Sequence, residues 1–459
     1  MMIADLVQSN IKPRYKAIVA AVIEGVAQRK IPVGQKLPPQ RELAHQLGIA
    51  IATVGRAYSE LEQLGVVTSH VGRGTYISEI KPKYAASEPD TGQSIDMQTY
   101  RVPVADLPGL VAETLRSIAA DDAASILLEN CPTQGAHAHR EALATWLGLS
   151  GVTAAPEQII VTNGGQHAAM CALSTITHPG QTIATEELTD PRMKAVAGYL
   201  DRQLAAVKMD AQGMLPDALE SLCKSGRRIS AIYCTPRNQN PTNSILPHDR
   251  RLAIAEIAER YDIPIIESDI YGTLRQEKEP PIFSIAPHRT HFVTSLGRIA
   301  GPGMKVGCLV SPPESVLRCQ SGVGMSTGAS SRLQAEIAAR WIKQGHVSRM
   351  MSWQQTDALR RVSLLSAYPT LARAASLPTS PHIWLPLPDP WRSEEFVDAA
   401  AAHGITIAPT HSFVVGRREV PHAVRIVLGA PETIDVLKTG LDRLERILQN
   451  PPRPHGRSA

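Results

Sequence analysis

The chain has few aromatic side chains, 4% of its residues, and no apolar stretch near the ~18 residues of a membrane-spanning helix. A membrane-embedded helical protein is therefore excluded. The N-terminal segment from Met1 to Lys16 lacks the apolar core of a secretory signal, so a cytoplasmic location is expected. The six cysteines (Cys131, Cys171, Cys223, Cys234, Cys308, Cys319) form no CxxC pair and no framework spacing. This argues against a thiolate metal knot and a disulfide scaffold, and fits reduced, buried thiols. Strong net charge is missing as well. At +4 over 459 residues, no global basic field points to nucleic acid. What is present is a composition of 43% hydrophobic and 20% charged residues, enough for large cores, in a chain long enough for two or three domains. Residues 1–80 hold nine Lys and Arg against six acids, so most of the positive excess lies in a small part of the chain. That is permissive for DNA without being diagnostic.

Periodicity divides the chain. Ile18, Val22 and Val26 fall on one face of a helix over 14–29. Gly34 and Pro38-Pro39 interrupt it, and a second helix carrying Leu43, Ala44 and Leu47 ends at Gly48. A third, over 51–64, turns Val54, Ala57, Tyr58 and Leu61 inward and Thr53, Arg56, Ser59, Glu60 and Gln63 outward. Val66–Thr68 and Thr75–Ile77 flank Gly72-Arg73-Gly74 as a short hairpin. Residues 79–105 shift to Lys, Pro, Ser, Asp and Gly and are expected to form a linker. Beyond it, apolar runs at 159–162, 182–185, 229–234, 263–267, 292–295 and 305–310 alternate with helical stretches at 166–177, 191–200 and 248–261. Strands this apolar, interleaved with helices, imply a sheet covered on both faces. From about 311 to 450 the pattern is α+β, with helices expected at 329–365, 393–403 and 431–449. The tail 451–459, rich in Pro and Arg, is expected to be disordered.

Residues 12–78 resemble the winged helix-turn-helix of the GntR regulators. The carriers are Pro32-Val33-Gly34-Gln35-Lys36-Leu37-Pro38-Pro39-Gln40-Arg41-Glu42-Leu43-Ala44, Thr53-Val54-Gly55-Arg56-Ala57-Tyr58 and Gly72-Arg73-Gly74-Thr75, in the family's order. A three-helix unit presents the start of its last helix to the major groove, where arginine pairs bidentately with guanine. Glycines in a wing let backbone approach phosphate closely. The expected DNA-binding residues are Arg41, Thr53, Arg56, Arg73 and Gly74. A solvated helix face is the plainer account of Arg41 and Arg56. The family often has Ser-Arg before the Thr; here Ala50-Ile51-Ala52 removes one contact.

Residues 106–450 resemble the fold-type I aminotransferase domain that GntR modules carry in MocR-type regulators. The resemblance implies a multi-domain α/β chain: a winged helix-turn-helix at 1–78, the linker at 79–105, and a doubly wound large subdomain with a smaller α+β subdomain from about 311. It also implies pyridoxal phosphate as the family cofactor. Gly164-Gly165-Gln166 matches the phosphate-cup turn, and amides at a helix N-terminus bind anions in any case. Asn240, in Gln239-Asn240-Pro241-Thr242, matches the asparagine facing the ring hydroxyl. Arg425 matches the carboxylate-gripping arginine, and Ser295 and Lys305 stand at phosphate-contacting positions. Plainer alternatives are a tight strand-to-helix turn for the glycines, a structural turn for Asn240-Pro241, an ion pair for Arg425, and ordinary packing for Tyr271 and Ser268.

Three positions depart from the family together. Ser295-Leu296-Gly297-Arg298 puts Arg298 where the family has its imine-forming lysine. An imine needs a free amine lone pair, and guanidinium keeps its proton. Ser268, three before Tyr271, stands where an aspartate pairs with the pyridine nitrogen, with Asp269 on the opposite face of the strand. Asp190 stands where an aromatic ring stacks on the cofactor. The expectation is a regulator of transcription that reads duplex operator DNA as a homodimer, with a catalytically inactive sensor for a small anionic effector: an amino acid, a keto acid or a B6 phosphate. Covalent pyridoxal phosphate is not expected, and Arg298 and Asp190 are expected to pair, directly or through water. The alternatives are an active pyridoxal-phosphate-dependent aminotransferase and a regulator holding a B6 phosphate non-covalently.

Overall fold

The computed structural model describes residues 13–28, 30–32, 35–63, 66–70, 74–77, 94–101, 107–121, 125, 127, 129–272, 279–416 and 421–451. The chain divides into two compact units, Met1–Gly92 and Gln93–Ala459. Arg73, the glycine before it, most of the expected linker (79–93) and the tail from 452 lie outside the described residues.

In the first unit, α1 (Arg14–Ala27), α2 (Gln40–Leu47) and α3 (Ile51–Gln63) pack with the antiparallel pair β1 (Val67–His70) and β2 (Gly74–Ile77). Their apolar faces meet in one core of Ile18, Val22, Leu43, Val54, Ala57, Tyr58, Leu61, Val67 and Ile77. α2 stops because Gly48 takes a left-handed conformation, φ +62°, that a side chain disfavours. The hairpin has a further partner that periodicity does not reveal. Lys36 bridges Tyr76, the Leu37 N–H donates to Thr75 O at 2.7 Å and the Ile77 N–H to Gln35 O at 2.9 Å.

The second unit opens with β3 (Ile95–Asp96), α4 (Leu107–Ala119) and α5 (His137–Gly148). There follow β4 (Ile159–Thr162), α6 (Gly165–Ile176), β5 (Thr182–Glu186), α7 (Pro191–Tyr199), β6 (Gln203–Val207), the short ribbon β7 (Met209–Asp210) and β8 (Gly213–Met214), α8 (Pro216–Lys224), β9 (Ile229–Cys234), α9 (His248–Arg260), β10 (Ile265–Ser268), α10 (Ile282–Ile285), β11 (Thr290–Ser295) and β12 (Gly307–Val310). Seven strands form one sheet in the order β4-β12-β11-β10-β9-β5-β6, in which β12 alone runs against its neighbours. Side chains alternate between its faces: Phe292 joins Trp146 and Trp341 on one, Val293 joins Cys171 and Cys319 on the other. The doubly covered sheet inferred from the apolar runs is therefore present. The edge strand β6 was not anticipated: its centre is Ala205-Ala206, a residue type depleted in strands, and it is buried only at alternate positions.

Next come α11 (Val316–Thr327), α12 (Arg332–Lys343), α13 (His346–Ser363), β13 (His382–Pro386), α14 (Ser393–Ala402), β14 (Ile405–Thr406), β15 (Ala408–Pro409), β16 (Ala423–Val427) and α15 (Ile434–Gln449). The single helix expected over 329–365 is two helices, broken where Gly345 adopts φ +73°. The sheet β13-β16-β15 packs with α14 and α15 around Phe396, Ile426 and Leu441. A second correction concerns the expected linker. Residues 94–101 are built into this unit: β3 pairs parallel with β14, Met97 is fully buried, and Tyr100 is buried.

Glu186, at the end of β5, is buried, and burial raises its carboxyl to about 7 despite hydrogen bonds from the Thr235 N–H and the Thr185 hydroxyl. A carboxyl raised on folding contributes stability that is full below its unfolded pKa and is lost as pH rises through the folded value, here from about 4.5 to about 7. Glu186→Gln is therefore expected to raise the melting temperature relative to wild type by several degrees more at pH 8 than at pH 5. Thermal melts in which the difference is equal at both pH values would contradict the assignment.

Candidate functional site

In the first unit, Arg41 on α2 and Arg56 on α3 are exposed, and Thr53 lies half-buried near the start of α3. Gly55 lets α2 approach α3: a Cβ there would stand 3.2 Å from Gln40 Oε1. The Tyr58 hydroxyl donates to Pro38 O at 2.8 Å, fixing the turn before α2 against α3. The Arg56 guanidinium lies 4.1 Å over the Tyr15 ring of α1, which limits its rotamers while leaving donors outward. Gly74 opens β2, beside the expected wing tip.

In the second unit, the candidate residues cluster beyond the carboxyl ends of parallel strands, where open α/β sheets bind ligands. Gly164, φ +90°, caps α6 after β4. A Cβ on Gly165 would sit 2.8 Å from Ile270 Cδ1 and 3.2 Å from Ser295 Cβ, and one on Gly164 would sit 3.8 Å from Lys305 Cδ. The two glycines, exposed Gln166, Ser295 and exposed Lys305 thus form a cradle at a helix N-terminus, where amides without intrahelical acceptors face an anion. The Ser295 hydroxyl accepts from the Gly297 N–H and donates to Val306 O, both at 3.1 Å, so it fixes the turn that carries Arg298.

Asp190 caps α7 beyond β5. One carboxylate oxygen accepts from the Arg192 N–H at 2.8 Å and the other from the Asn240 amide at 3.0 Å. The Asn240 carbonyl accepts from Arg425 Nη1 at 2.9 Å, and Arg425 Nη2 donates to the backbone carbonyl of Gln98 at 2.8 Å. Burial alone would raise the Asp190 carboxyl, but the charge of Arg192, its N–H, the Asn240 amide and Arg425 together hold it below the ordinary carboxylate range. Burial pulls both Arg298 and Arg425 below the usual guanidinium value; such groups nonetheless stay protonated.

Arg298 is buried in the turn after β11, its guanidinium 5.1 Å from the Tyr100 ring and 5.3 Å from the Tyr271 ring. The direct form of the expected Arg298–Asp190 ion pair is a correction: no direct pair forms among the described residues. Asp190 is turned into the N-terminus of α7 and held by Asn240, while two aromatic faces take the arginine. Ser268 bonds the Tyr233 hydroxyl, and Asp269, fully buried, pairs with Arg237. Sequence reasoning missed Gln98, Tyr100 and Arg192, and also His382, whose buried ring lies 5.6 Å from that of Tyr271. Tyr100 and Gln98 lay in a stretch read as linker; a tyrosine in an aromatic-poor chain was the available signal.

The donor set suits a phosphate at the cradle and a carboxylate at Arg425. At the turn after β11 the nitrogen on offer is a guanidinium, which does not suit an aldehyde. Among the described residues no group of three or more His, Cys, Asp or Glu is placed to hold a metal ion, and no helix is long and apolar enough to cross a membrane.

The model of bacterial regulatory proteins of the gntR family matches residues 14–77, and that of aminotransferase class I and II matches residues 104–444. An uncharacterized HTH-type transcriptional regulator of Bacillus subtilis, YdeF, is 27% identical over 445 residues, 96% of this chain and 95% of that one. The HTH-type pyridoxine biosynthesis transcriptional regulator PdxR of Corynebacterium glutamicum is 28% identical over 348 residues, 73% of each chain. The chain is a MocR-type regulator and belongs to the aminotransferase class I and II family. The fold agrees: a kynurenine aminotransferase of Pyrococcus horikoshii superposes with a TM-score of 0.71 at 21% identity, covering 78% of this chain and 92% of the other. An α-aminoadipate aminotransferase of Thermus thermophilus gives 0.70 at 19%, covering 78% and 92%. As a MocR-type regulator the chain binds DNA through its first unit, and its second unit has the fold associated with pyridoxal phosphate.

Arg56→Ala is expected to weaken operator binding by about 1–3 kcal/mol if the arginine reads a base edge. Tyr15→Leu, which removes the stacking face, is expected to weaken it less. Mobility-shift titrations in which both variants bind as wild type would remove Arg56 from the interface.

Proposed function

We propose that this MocR-type regulator senses a small anionic effector with its aminotransferase-like unit, that Arg298 takes the place of the family's imine-forming lysine, and that the unit carries out no transamination. The observation that carries this reading is the Arg298 guanidinium, buried against the Tyr100 and Tyr271 rings in the turn that Ser295, a member of the anion cradle, caps. A guanidinium has no free lone pair to attack an aldehyde, and it does not give up a proton to shuttle. Ser268 is neutral and engaged with Tyr233, and Asp269 is committed to Arg237, so neither supplies a carboxylate for a pyridine nitrogen. What remains is recognition: amides at the start of α6 with Ser295 and Lys305 for a phosphate, and Arg425, held by Asn240, for a carboxylate. We further propose a homodimer, since twofold operators match twofold proteins.

The cradle also supports a second reading, in which a B6 phosphate is the effector and is held without a covalent bond. Bound there, such a group would supply a dianionic phosphate and a flat ring; the chain's residues would orient it and exclude water.

Three measurements test the proposal. Purified protein mixed with pyridoxal phosphate and reduced with borohydride is expected to carry no adduct in this pocket; a reduced adduct mapped there by peptide mass would overturn it. Arg298→Lys alone is expected not to restore transaminase activity, because Ser268 still faces the ring nitrogen's place. Thermal-shift screening of amino acids, keto acids and B6 phosphates is expected to yield at least one stabilising anion whose effect drops on Arg425→Ala. Equal effects on both proteins would remove Arg425 from the site.

A further inference from the structure

The two arginines of the pocket do not merely wait for a ligand; they hold the segment of chain that follows β3. Arg425 Nη2 donates to the Gln98 carbonyl at 2.8 Å, and Arg298 lies over the Tyr100 ring. The segment is seated by more than these. The Ile95 N–H donates to Gly404 O at 2.7 Å, the Met97 N–H to Thr406 O at 2.8 Å, and the Val427 N–H to Met97 O at 2.7 Å. Asp96 accepts from the N–H groups of Gln98 and Thr99, which turns the chain toward the pocket. Tyr100 donates its hydroxyl to Gln354, whose amide in turn donates to Ile299 O, next to Arg298. Two glycines make room: a Cβ on Gly429 would stand 2.8 Å from Tyr100 Cε2, and one on Gly440 2.8 Å from Met97 Sδ.

A carboxylate meets a guanidinium with opposite charge and two parallel N–H···O bonds, whereas a backbone carbonyl offers one neutral oxygen. The Gln98 carbonyl is such a neutral acceptor, and it occupies a donor that a carboxylate would use bidentately. The strand pairing at 95–97 does not involve the arginines, so a change would fall on Gln98–Arg101.

We propose that Arg425 and Arg298 form a latch on segment Gln98–Tyr100, and that a carboxylate ligand taken by Arg425 displaces the Gln98 carbonyl and releases that segment. This rests on the anion-sensing reading above and adds to it a backbone change that occupancy produces, in the segment that follows β3. The ligand class follows from the competition: a molecule bearing a carboxylate opens the latch, whereas inorganic phosphate, seated at the α6 cradle, leaves it closed.

Hydrogen–deuterium exchange on the full-length protein tests this at the backbone amides of 98–101. Without ligand, Arg425→Gln and Tyr100→Leu are each expected to exchange there about tenfold faster than wild type, as expected for losing one such contact. Gly429→Ala, which pushes on Tyr100 without touching either arginine, is expected to do the same. Wild type with saturating 2-oxoglutarate or L-glutamate is expected to follow the variants, and with inorganic phosphate to stay unchanged. If either carboxylate binds by calorimetry, loses that binding in Arg425→Gln, and leaves exchange at 98–101 unchanged or slower, the latch is overturned while the anion-sensing reading stands. If neither binds in an Arg425-dependent way, the sensing reading fails for these ligands. The latch is then decided by the ligand-free variants: unchanged exchange in all three overturns it.

Discussion

A guanidinium cannot be discharged by burial at any pH where proteins fold, and the second unit is arranged around two of them. A lone buried charge is costly, so Arg298 and Arg425 must be compensated. Arg298 gains two aromatic faces, Tyr100 and Tyr271. Arg425 gains a ring, an amide oxygen and a backbone carbonyl from Phe413, Asn240 and Gln98. None of these partners is an anion. Asp190 feels both charges but is hydrogen-bonded to Asn240 rather than to either guanidinium, so one carboxylate faces two arginines and the pocket stays cationic at its centre. That residual charge connects the fold to its proposed role.

The compensation also explains why Asp190 and Arg298 form no direct ion pair. Asp190 precedes Pro191, and a carboxylate in that place caps the helix that follows. Capping is a local interaction set by sequence neighbours, whereas the pair with Arg298 needed two distant elements to converge. The local interaction prevailed, and aromatic rings filled the place beside the arginine.

Where the amino-acid pattern was strongest, the fold was readable. Ile159–Thr162 and Ile229–Cys234 coincide with β4 and β9, because fully buried parallel strands are apolar throughout. The apolar faces of α1–α3 became one core, as their 3.6-residue spacing required. The edge strand β6 and the break at Gly345 escaped, since one is centred on two alanines, which favour strands weakly, and the other is a single residue inside a long helical periodicity. In the pocket, motif residues such as Gly164, Asn240 and Arg425 stood out by local pattern. Tyr100 and Gln98 did not, because their role comes from contacts across more than 190 residues of chain, with Arg298 and Arg425.

The central claim is that this pocket recognises an anion by fixed charge and helix amides, with no imine at position 298. Pyridoxal phosphate and pyridoxamine phosphate carry the same phosphate, but only the first has an aldehyde. Calorimetric titration of both into the full-length protein, with absorbance spectra of the endpoints, tests the claim directly. The account predicts comparable affinities and no imine absorption with either. Retention of the aldehyde form alone, with an imine band that borohydride removes, would contradict it.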